Sequence, residues 1–300
     1  MTDNSEAVFC FKRMNRIKIL ITGAKGQLGL ELNELSKGVI DYSFDFADSK
    51  ALDISSEVEI KAYFKNSSYD YCINCAAYTA VDKCEDEKEN SEQVNHQGVA
   101  VLADACKEFD VVLIHISTDF VFDGKNNRAY IETDKTNPIN YYGKSKLLGE
   151  EAIQNRLDKY YILRTSWLYS SFKSNFVKTM LKLSESRDVL NIIDDQIGTP
   201  TYARDLAKVI LRIIEERKLE YGIYHYSNEG VASWYDFAKM IFEYSNKRIS
   251  ILPIATEQYP LPAERPIFSV LNKNKIKKGL NITIPHWTES LKDCIKKINN

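Results

Sequence analysis

The chain has 300 residues, 44% of them hydrophobic and 27% charged, with a formal net charge of −2 at pH 7. Such a length can bury the core of one large domain or of two moderate ones, and the composition is that of an ordinary globular protein. Because the lysines and arginines are scattered along the chain, we expect neither nucleic acid nor an anionic membrane surface as a partner.

The N-terminal segment precedes the first convincing strand pattern. Residues 1–13 begin with acidic and polar residues, and their apolar patch, 8–11, is too short for a secretory signal. No apolar run in the chain approaches the roughly 18 residues that a membrane helix needs. We therefore expect a cytoplasmic protein in which residues 1–13 are a poorly ordered extension.

Strand-like and helical segments alternate through the first half of the chain. The predicted strands are 17–23, 41–46, 71–77, 111–118 and 160–167, and the predicted helices between them are 27–35, 57–65, 92–109 and 142–157. This alternation predicts a parallel sheet with right-handed crossovers, which is a Rossmann-type doubly wound α/β fold.

The second half is less regular. Its predicted helices are 176–186, 203–218 and 234–247, its predicted strands are 189–193, 222–228 and 249–254, and a proline-rich loop covers 259–266. No low-complexity linker separates the halves, so we expect a smaller α/β lobe packed directly on the first.

A glycine-rich turn follows the first predicted strand. The sequence TGAKGQLG places Gly23, Gly26 and Gly29 at three-residue intervals, with Gln27 and Leu28 at the start of the next helix. Glycines at such a turn let the backbone approach a pyrophosphate, whose charge is stabilised by the helix N-terminus. A plain tight turn is the alternative, but a position ahead of several βα units favours a dinucleotide.

An acidic residue near the end of the second predicted strand is a candidate for the adenosine ribose. Asp45 lies close to the roughly 20-residue separation from the glycines at which such an acid accepts ribose hydrogen bonds, which would favour NADH over NADPH. Asp41 and Asp48 are nearby rivals, and a surface acid without a ligand is the alternative.

The sequence YYGKSK places Tyr142 one helical turn before Lys146. By itself such a pair usually marks a solvated helix face. Here Ser117 and Thr118 precede it at the carboxyl end of a predicted strand, where open α/β sheets bind ligands. Together with the glycine turn, the pattern predicts that Tyr142 donates a proton to a carbonyl held by a hydroxyl, while Lys146 binds the cofactor ribose and lowers the pKa of Tyr142.

The six cysteines include Cys72 and Cys75 in the sequence CINC, a spacing found in zinc and redox sites. No second pair with this spacing follows, and the four histidines lack the spacing of metal ligands. We therefore expect buried, reduced thiols and no metal site.

From about residue 18 to residue 287 the chain resembles the extended short-chain dehydrogenase/reductase superfamily, and within it the dTDP-4-dehydrorhamnose reductases. The similar blocks include ILITGAKGQLG, INCAAYTAVDKCE, ISTDFVFDG, NYYGKSKLLGE, DDQIGTPT and PLPAERPIFSVL. The resemblance implies NADPH- or NADH-dependent reduction of the C4 ketone of dTDP-4-dehydro-L-rhamnose in dTDP-L-rhamnose synthesis. It also allows a homodimer and a bound Mg²⁺.

The resemblance assigns roles by matched position. The catalytic residues are Thr118, Tyr142 and Lys146. The cofactor contacts, including those predicted above, are Gly23, Gly26, Gln27, Leu28, Gly29, Asp45, Asp53, Ile54, Ala76, Ala77, Tyr78, Ser117, Tyr142 and Lys146. Substrate contacts fall on Thr118, Asp119 and Trp167, and Arg265 is our choice for the diphosphate, with a salt bridge that staples its loop as the alternative.

The resemblance also divides the chain. It implies an NAD(P)-binding domain over residues 14–166 and about 190–222, and a nucleotide-sugar-binding domain over 167–189 and about 223–300. Two residues depart from the family pattern: Cys75 replaces the usual Ala, and Phe120 replaces the usual Tyr and removes a hydroxyl beside the site.

Other functions share this fold. A nucleotide-sugar dehydratase needs an Asp-Glu pair directly after the threonine, whereas Thr118 is followed by Asp119 and Phe120. A non-catalytic subunit, similar to the regulatory β subunit of methionine adenosyltransferase, remains open because a fold does not fix a function. A reductase of another dTDP-4-keto-6-deoxy sugar would use the same residues.

Overall fold

The computed structural model describes residues 16–299, so the predicted extension over residues 1–13 lies outside the described residues. The strands, β1 to β12 in chain order, are Ile17–Thr22, Tyr42–Ala47, Tyr71–Asn74, Val112–Thr118, Tyr160–Thr165, Leu168–Tyr169, Val189–Ile193, Ile197–Gly198, Thr201–Tyr202, Gly222–His225, Ala232–Ser233 and Ser250–Ile254. The α-helices, α1 to α10, are Gln27–Ser36, Glu57–Lys65, Lys88–Glu92, Gly98–Glu108, Tyr141–Gln154, Phe176–Leu183, Ala203–Glu216, Trp234–Tyr244, Asn274–Leu280 and Trp287–Asn299. A π-helical segment, Gln93–Gln97, joins α3 to α4.

A six-stranded sheet with the order β10-β5-β4-β3-β1-β2 forms the centre of the first lobe, and all its strand pairs are parallel. From β1 the chain runs outward to β2 and then returns across β1 to β3, so the strand order reverses between β1 and β3. Ligands of open α/β sheets bind beyond the carboxyl ends of the strands at such a reversal. The predicted Rossmann-type doubly wound fold is confirmed.

Helices cover both faces of this sheet because successive strand residues point to opposite sides. Ile19 and Ile21 on β1 pack into one core with α1 and α7, whereas Leu20 packs into a second core with α2, α4 and α5. Both faces are therefore apolar, as parallel strands require.

The second lobe has its own core. Strand β7 pairs with β12, and α6, α8 and α10 pack around Phe237, Ile241 and Leu291. Strand β7 was predicted mostly within the NAD(P)-binding domain, but it lies outside the large sheet. Strand β10 was predicted mostly within the nucleotide-sugar-binding domain, but it is part of the large sheet. The division into two domains itself stays a proposal.

Helix hydropathy, the cysteines and possible metal ligands can be described within residues 16–299. No helix in this range is long and apolar enough to cross a membrane. Of its cysteines, Cys72, Cys84, Cys106 and Cys294 are buried and Cys75 is half-buried, and all are free thiols. The same range contains no cluster of three or more His, Cys, Asp or Glu side chains that could hold a metal ion.

Candidate active site

The turn between β1 and α1 requires glycine at two of its predicted positions. Gly23 has φ +64°, and a Cβ there would lie 2.5 Å from the backbone nitrogen of Ala76. At Gly29 a Cβ would lie 2.7 Å from the backbone of Ala24. The turn therefore touches the loop after β3, at the point where the strand order reverses, and α1 starts directly against it.

Gly26 precedes helix α1 as its N-cap, so the helix has no side-chain cap, and its first turn contains no acid. The N–H groups at the start of such a helix favour an anion. Gln27, Leu28 and Gly29 supply them here, and the turn offers a backbone cradle that a Cβ would fill. These residues fit the pyrophosphate of a dinucleotide, and their contact with it stays a prediction.

Asp45 is not positioned as predicted. Its carboxylate accepts hydrogen bonds from Tyr63, at 3.1 Å, and from Tyr69, because β2 directs it toward α2 rather than toward the carboxyl end of the sheet. The rival Asp48 lies beyond the end of β2 and pairs with Lys25 of the glycine turn. Asp48 also accepts the N–H groups of the two residues Lys50 and Ala51 at 3.0 Å.

The predicted adenine contacts lie in the loop after β2. The exposed Asp53 accepts hydrogen bonds from the N–H and hydroxyl of Ser55, at 2.9 and 2.7 Å. Ile54 is buried, and its carbonyl would lie 3.0 Å from a Cβ at Gly98, so α4 packs closely against it. The contacts of Asp53 and Ile54 with adenine stay a prediction.

Two asparagines that the sequence did not reveal hold the loop 76–78. Asn74 accepts the N–H of Ala76 at 3.1 Å. Asn95 accepts the N–H of Tyr78 at 2.9 Å and donates to its carbonyl at 3.0 Å, and it also donates to Ser145 on α5 at 3.0 Å. Asn95 lies in the π-helical segment, an irregularity that often marks functional sites but leaves no signal in helical periodicity.

Tyr142 and Thr118 meet where α5 packs on the end of β4. Asn140 caps α5 by accepting the N–H of Gly143 at 2.8 Å. A Cβ at Gly143 would lie 2.1 Å from the carbonyl oxygen of Phe120, so this glycine permits the close approach. The ring of Phe120 then meets Tyr142 edge to face, with centroids 5.8 Å apart.

Burial raises the pKa of Tyr142; the Thr118 hydroxyl opposes this shift, and the charge of Asp119 adds to it. The lowering by Lys146 that the sequence predicted is not found. The Lys146 amine lies instead 2.7 Å from the carbonyl oxygen of Ile116 and 3.2 Å from Nε2 of His115. Burial lowers the pKa of Lys146 to about 8, with Glu150 and Cys75 opposing.

Ser117 was predicted to contact the cofactor, but its hydroxyl donates to the buried Glu150, which forms a salt bridge with Arg164. Neighbouring residues of a strand point to opposite faces, so the side chain of Ser117 points away from that of Thr118. Strand alternation in the sequence was the signal that could have separated them.

Asp119 and Trp167 are the two further residues that the sequence predicts to contact the substrate beside Thr118. Asp119 is 2% exposed, and its Oδ2 has no hydrogen-bond partner among the described residues. Burial raises the pKa of Asp119 to about 6. Trp167 has φ +46° and stacks on Trp234 with centroids 3.6 Å apart, and a Cβ at Gly198 would lie 2.7 Å from its ring.

A cavity of about 620 Å³ opens beside this tryptophan pair. Its lining includes Phe176, Gln196, Trp234, Tyr259 and Arg265. Apolar and aromatic walls with a few polar groups are typical of small-molecule sites.

Arg265 donates two hydrogen bonds to Asp82, at 2.9 and 2.8 Å, and a third to the carbonyl of Ala263 at 2.7 Å. This is the loop-stapling salt bridge given above as the alternative role. A contact of Arg265 with a diphosphate stays a prediction, which its position at the cavity wall permits.

Comparisons with known proteins agree with this geometry. Residues 17–300 match the family described as RmlD substrate binding domain. A dTDP-4-dehydrorhamnose reductase from Aggregatibacter actinomycetemcomitans is 40% identical over 286 residues, which cover 92% of this chain and 97% of the relative.

Two solved structures show the same arrangement of the chain. The dTDP-4-dehydrorhamnose reductase of Clostridium acetobutylicum is 40% identical, covers 95% of this chain and 100% of its own, and has a TM-score of 0.91. The Bacillus anthracis enzyme of the same name, in complex with NADP, is 38% identical, covers 94% and 99%, and has a TM-score of 0.89. The resemblance read from the sequence is thereby confirmed, and the chain belongs to the RmlD substrate-binding-domain family.

Proposed function

We propose that the protein reduces the C4 ketone of dTDP-4-dehydro-L-rhamnose to give dTDP-L-rhamnose, with NADPH or NADH as reductant. The observation that carries the proposal is the partly buried Tyr142, whose raised pKa keeps its phenolic proton and which lies with Thr118 at the carboxyl edge of the sheet, on the same edge as the glycine turn. Family relatives that carry this enzyme name span almost the whole chain and support the assignment.

Tyr142 and Thr118 have different roles in the proposed reaction. The bound nicotinamide supplies the hydride. Tyr142 supplies the proton to the ketone oxygen, because a phenol whose pKa is raised by burial remains protonated at neutral pH until negative charge develops beside it. The Thr118 hydroxyl orients that oxygen by a hydrogen bond.

We propose that the cofactor site accepts NADPH as well as NADH. The carboxylate that would bind the ribose of NADH and repel the 2′-phosphate of NADPH is Asp45, which is occupied by Tyr63 and Tyr69. Asp48 is neutralised by Lys25, and Lys50 lies beside them. Replacing Lys25 by Ala should lower the ratio of kcat/KM for NADPH to that for NADH, while Lys83→Ala, outside the glycine turn, should not change the ratio.

The substrate part of the proposal rests on the cavity beside Trp167. The aromatic walls at Phe176 and Trp234 suit a pyrimidine base, and Arg265 is placed to meet a diphosphate. The cytoplasmic location, a homodimer and a bound Mg²⁺ stay predictions, the last two from the family resemblance alone.

The test is oxidation of NADPH and NADH, followed by loss of absorbance, with the keto-sugar supplied by a coupled epimerase. Tyr142→Phe should lower kcat by about 10²–10⁴-fold, because one positioned proton donor contributes about that much. Fluorescence titration should show that this variant still binds cofactor. If the unaltered protein binds cofactor but does not turn over, the proposal fails, and a reductase of another dTDP-4-keto-6-deoxy sugar or a non-catalytic subunit takes its place.

A further inference from the structure

A row of buried polar side chains crosses the sheet and ends at Lys146. Thr22, Asn74 and His115 are register partners on the neighbouring strands β1, β3 and β4. The Thr22 hydroxyl donates to Asn74 Oδ1 at 2.6 Å, Asn74 Nδ2 lies 3.0 Å from His115 Nδ1, and His115 Nε2 lies 3.2 Å from Lys146 Nζ. Each of these residues is at most 1% exposed, so bulk water cannot supply a hydrogen bond where a neighbouring side chain does not.

The orientation of the Asn74 amide follows from Ala76. The backbone N–H of Ala76 can only donate, and it lies 3.1 Å from the Asn74 side chain, which must therefore present its oxygen there. Rotating the amide would set its NH₂ group against that N–H. The NH₂ group of Asn74 consequently faces His115 and donates to Nδ1.

The orientation of Asn74 fixes the proton on His115. Burial and the nearby Lys146 hold the pKa of His115 well below its usual value, so the imidazole is neutral and carries one proton. Because Nδ1 accepts from Asn74, this proton is on Nε2 and points at Lys146.

An N–H aimed at Lys146 opposes its charged form. An ammonium has donors only, whereas a neutral amine can accept from His115 Nε2 and still donate to the carbonyl of Ile116 at 2.7 Å. The other titratable groups around Lys146 are Cys75 after β3, Glu150 and Tyr142 on its own helix, and Arg164 on β5. The charge of Glu150 is balanced by Arg164, which forms a salt bridge with it at 2.6 Å.

We propose that His115 is a positioning residue that sets the protonation state of the catalytic lysine: its Nε2–H favours the neutral amine of Lys146 in the free enzyme, and Asn74 holds His115 in the tautomer that does so. The inference rests on the proposed function, in which Lys146 would bind the ribose of the cofactor. It adds that Lys146 takes up a proton when it turns toward the ribose hydroxyls of a cofactor.

The tautomer is measured directly on the unaltered protein without cofactor. Two-bond ¹H–¹⁵N correlation spectra of ¹⁵N-histidine-labelled protein distinguish the Nε2–H form, the Nδ1–H form and the imidazolium, and His115→Gln assigns the signal. A neutral Nε2–H imidazole at pH 7 is the expected result. An Nδ1–H tautomer or an imidazolium would overturn the proposal.

The protonation of Lys146 is followed in protein labelled with ¹³C at the lysine ε-carbon. We expect Lys146 to titrate near pH 8, well below the exposed lysines. Lys146→Met assigns its signal and separates it from Lys273, whose pKa burial also lowers. In His115→Gln an amide oxygen can accept from the ammonium, so the pKa of Lys146 should rise by at least one unit. Asn74→Asp, which cannot donate to Nδ1, should switch His115 to the Nδ1–H tautomer and raise the pKa of Lys146 likewise.

The control variant is His225→Gln, which changes a buried histidine that contacts Tyr130 rather than Lys146. It should leave the titration of Lys146 unchanged. A rise in Asn74→Asp without a rise in His115→Gln would be a charge effect and would overturn the proposal. Because both spectra are recorded without substrate, they remain decisive even if the keto-sugar is not reduced, an outcome that would instead contradict the proposed function.

Discussion

The chemistry at the site depends on how burial shifts each titrating group. Lys146 and Asp119 are almost fully buried and Tyr142 is partly buried, and the pKa of each moves in the direction that favours its neutral form. For Tyr142 this retains the proton that reduction consumes. For Asp119 it creates a cost in stability at neutral pH.

Replacing Asp119 by Asn should stabilise the fold at neutral pH. An unfolded Asp has a pKa of about 3.9, and the folded value is about 6, so the folded state holds the extra proton between them. Stability is therefore lost as pH rises from about 4 to about 6, and the ionised carboxylate costs about 3 kcal/mol at pH 7. Urea unfolding at pH 4.5 and 7.5 should show a gain of about 1–3 kcal/mol for Asp119→Asn only at the higher pH.

Asp123→Asn on the same segment is the matched control. The pKa of Asp123 is lowered, chiefly by the backbone N–H of Lys125, so its carboxylate is stabilising above the unfolded pKa. This variant should lose stability at pH 7.5, the opposite sign. A loss at pH 7.5 for Asp119→Asn as well would contradict the account of its buried carboxylate.

At the scale of elements, the predicted pyrophosphate site depends on the left-handed backbone conformation of Gly23 in the β1–α1 turn. Gly23→Ala would add a Cβ at φ +64° and 2.5 Å from Ala76, displacing the loop 76–78 that is predicted to contact the cofactor. We expect a loss of about 1–3 kcal/mol in unfolding free energy, the usual cost of such strain, together with at least tenfold weaker NADPH binding. Urea unfolding and fluorescence titration measure the two effects.

Gly38→Ala, just after α1, serves as the control for the glycine turn. The nearest atom to a Cβ there is 3.9 Å away, and the backbone is not left-handed. The change should be neutral or slightly stabilising. Unaltered cofactor affinity in Gly23→Ala would show that the turn does not hold the pyrophosphate.

At the scale of the whole molecule, side chains from distant segments join the two lobes. Arg265 binds Asp82 of the loop after β3, and Asn140 at the start of α5 donates to the carbonyl of Glu264 at 2.7 Å. On the other side, Glu31 of α1 is buried against Arg204 of α7 and Lys297 of α10. The proline-rich loop and the last helix are thereby fixed against the sheet that carries the site.

The Asp82–Arg265 pair allows a test of the second role of Arg265. If Arg265 also meets the diphosphate, Arg265→Gln should raise the KM for the sugar nucleotide about 10–100-fold, the cost of losing a charged hydrogen bond. Asp82→Asn, which releases Arg265, should leave KM unchanged or lower it. Initial rates at saturating NADPH measure both.

The exposed pair Arg128 and Asp134, joined at 2.7 and 2.9 Å, is the matched control because it lies outside the cavity lining. Arg128→Gln should not alter KM. An equal rise of KM in Asp82→Asn and Arg265→Gln would mean that the salt bridge only staples the loop.

The sequence alone determined the fold class, the glycine turn and the placement of Tyr142 with Thr118, because alternation, turn glycines and helical spacing are local signals. Only the tertiary structure decided which hydrogen-bond or salt-bridge partner each of these side chains has. Asp45 pairs with tyrosines from α2 and from the loop before β3, Ser117 pairs with Glu150, and Arg265 pairs with a residue far away in the chain. It also decided which groups of the site are buried and hydrogen-bonded, because the row from Thr22 to Lys146 arises only when strands β1, β3 and β4 lie side by side.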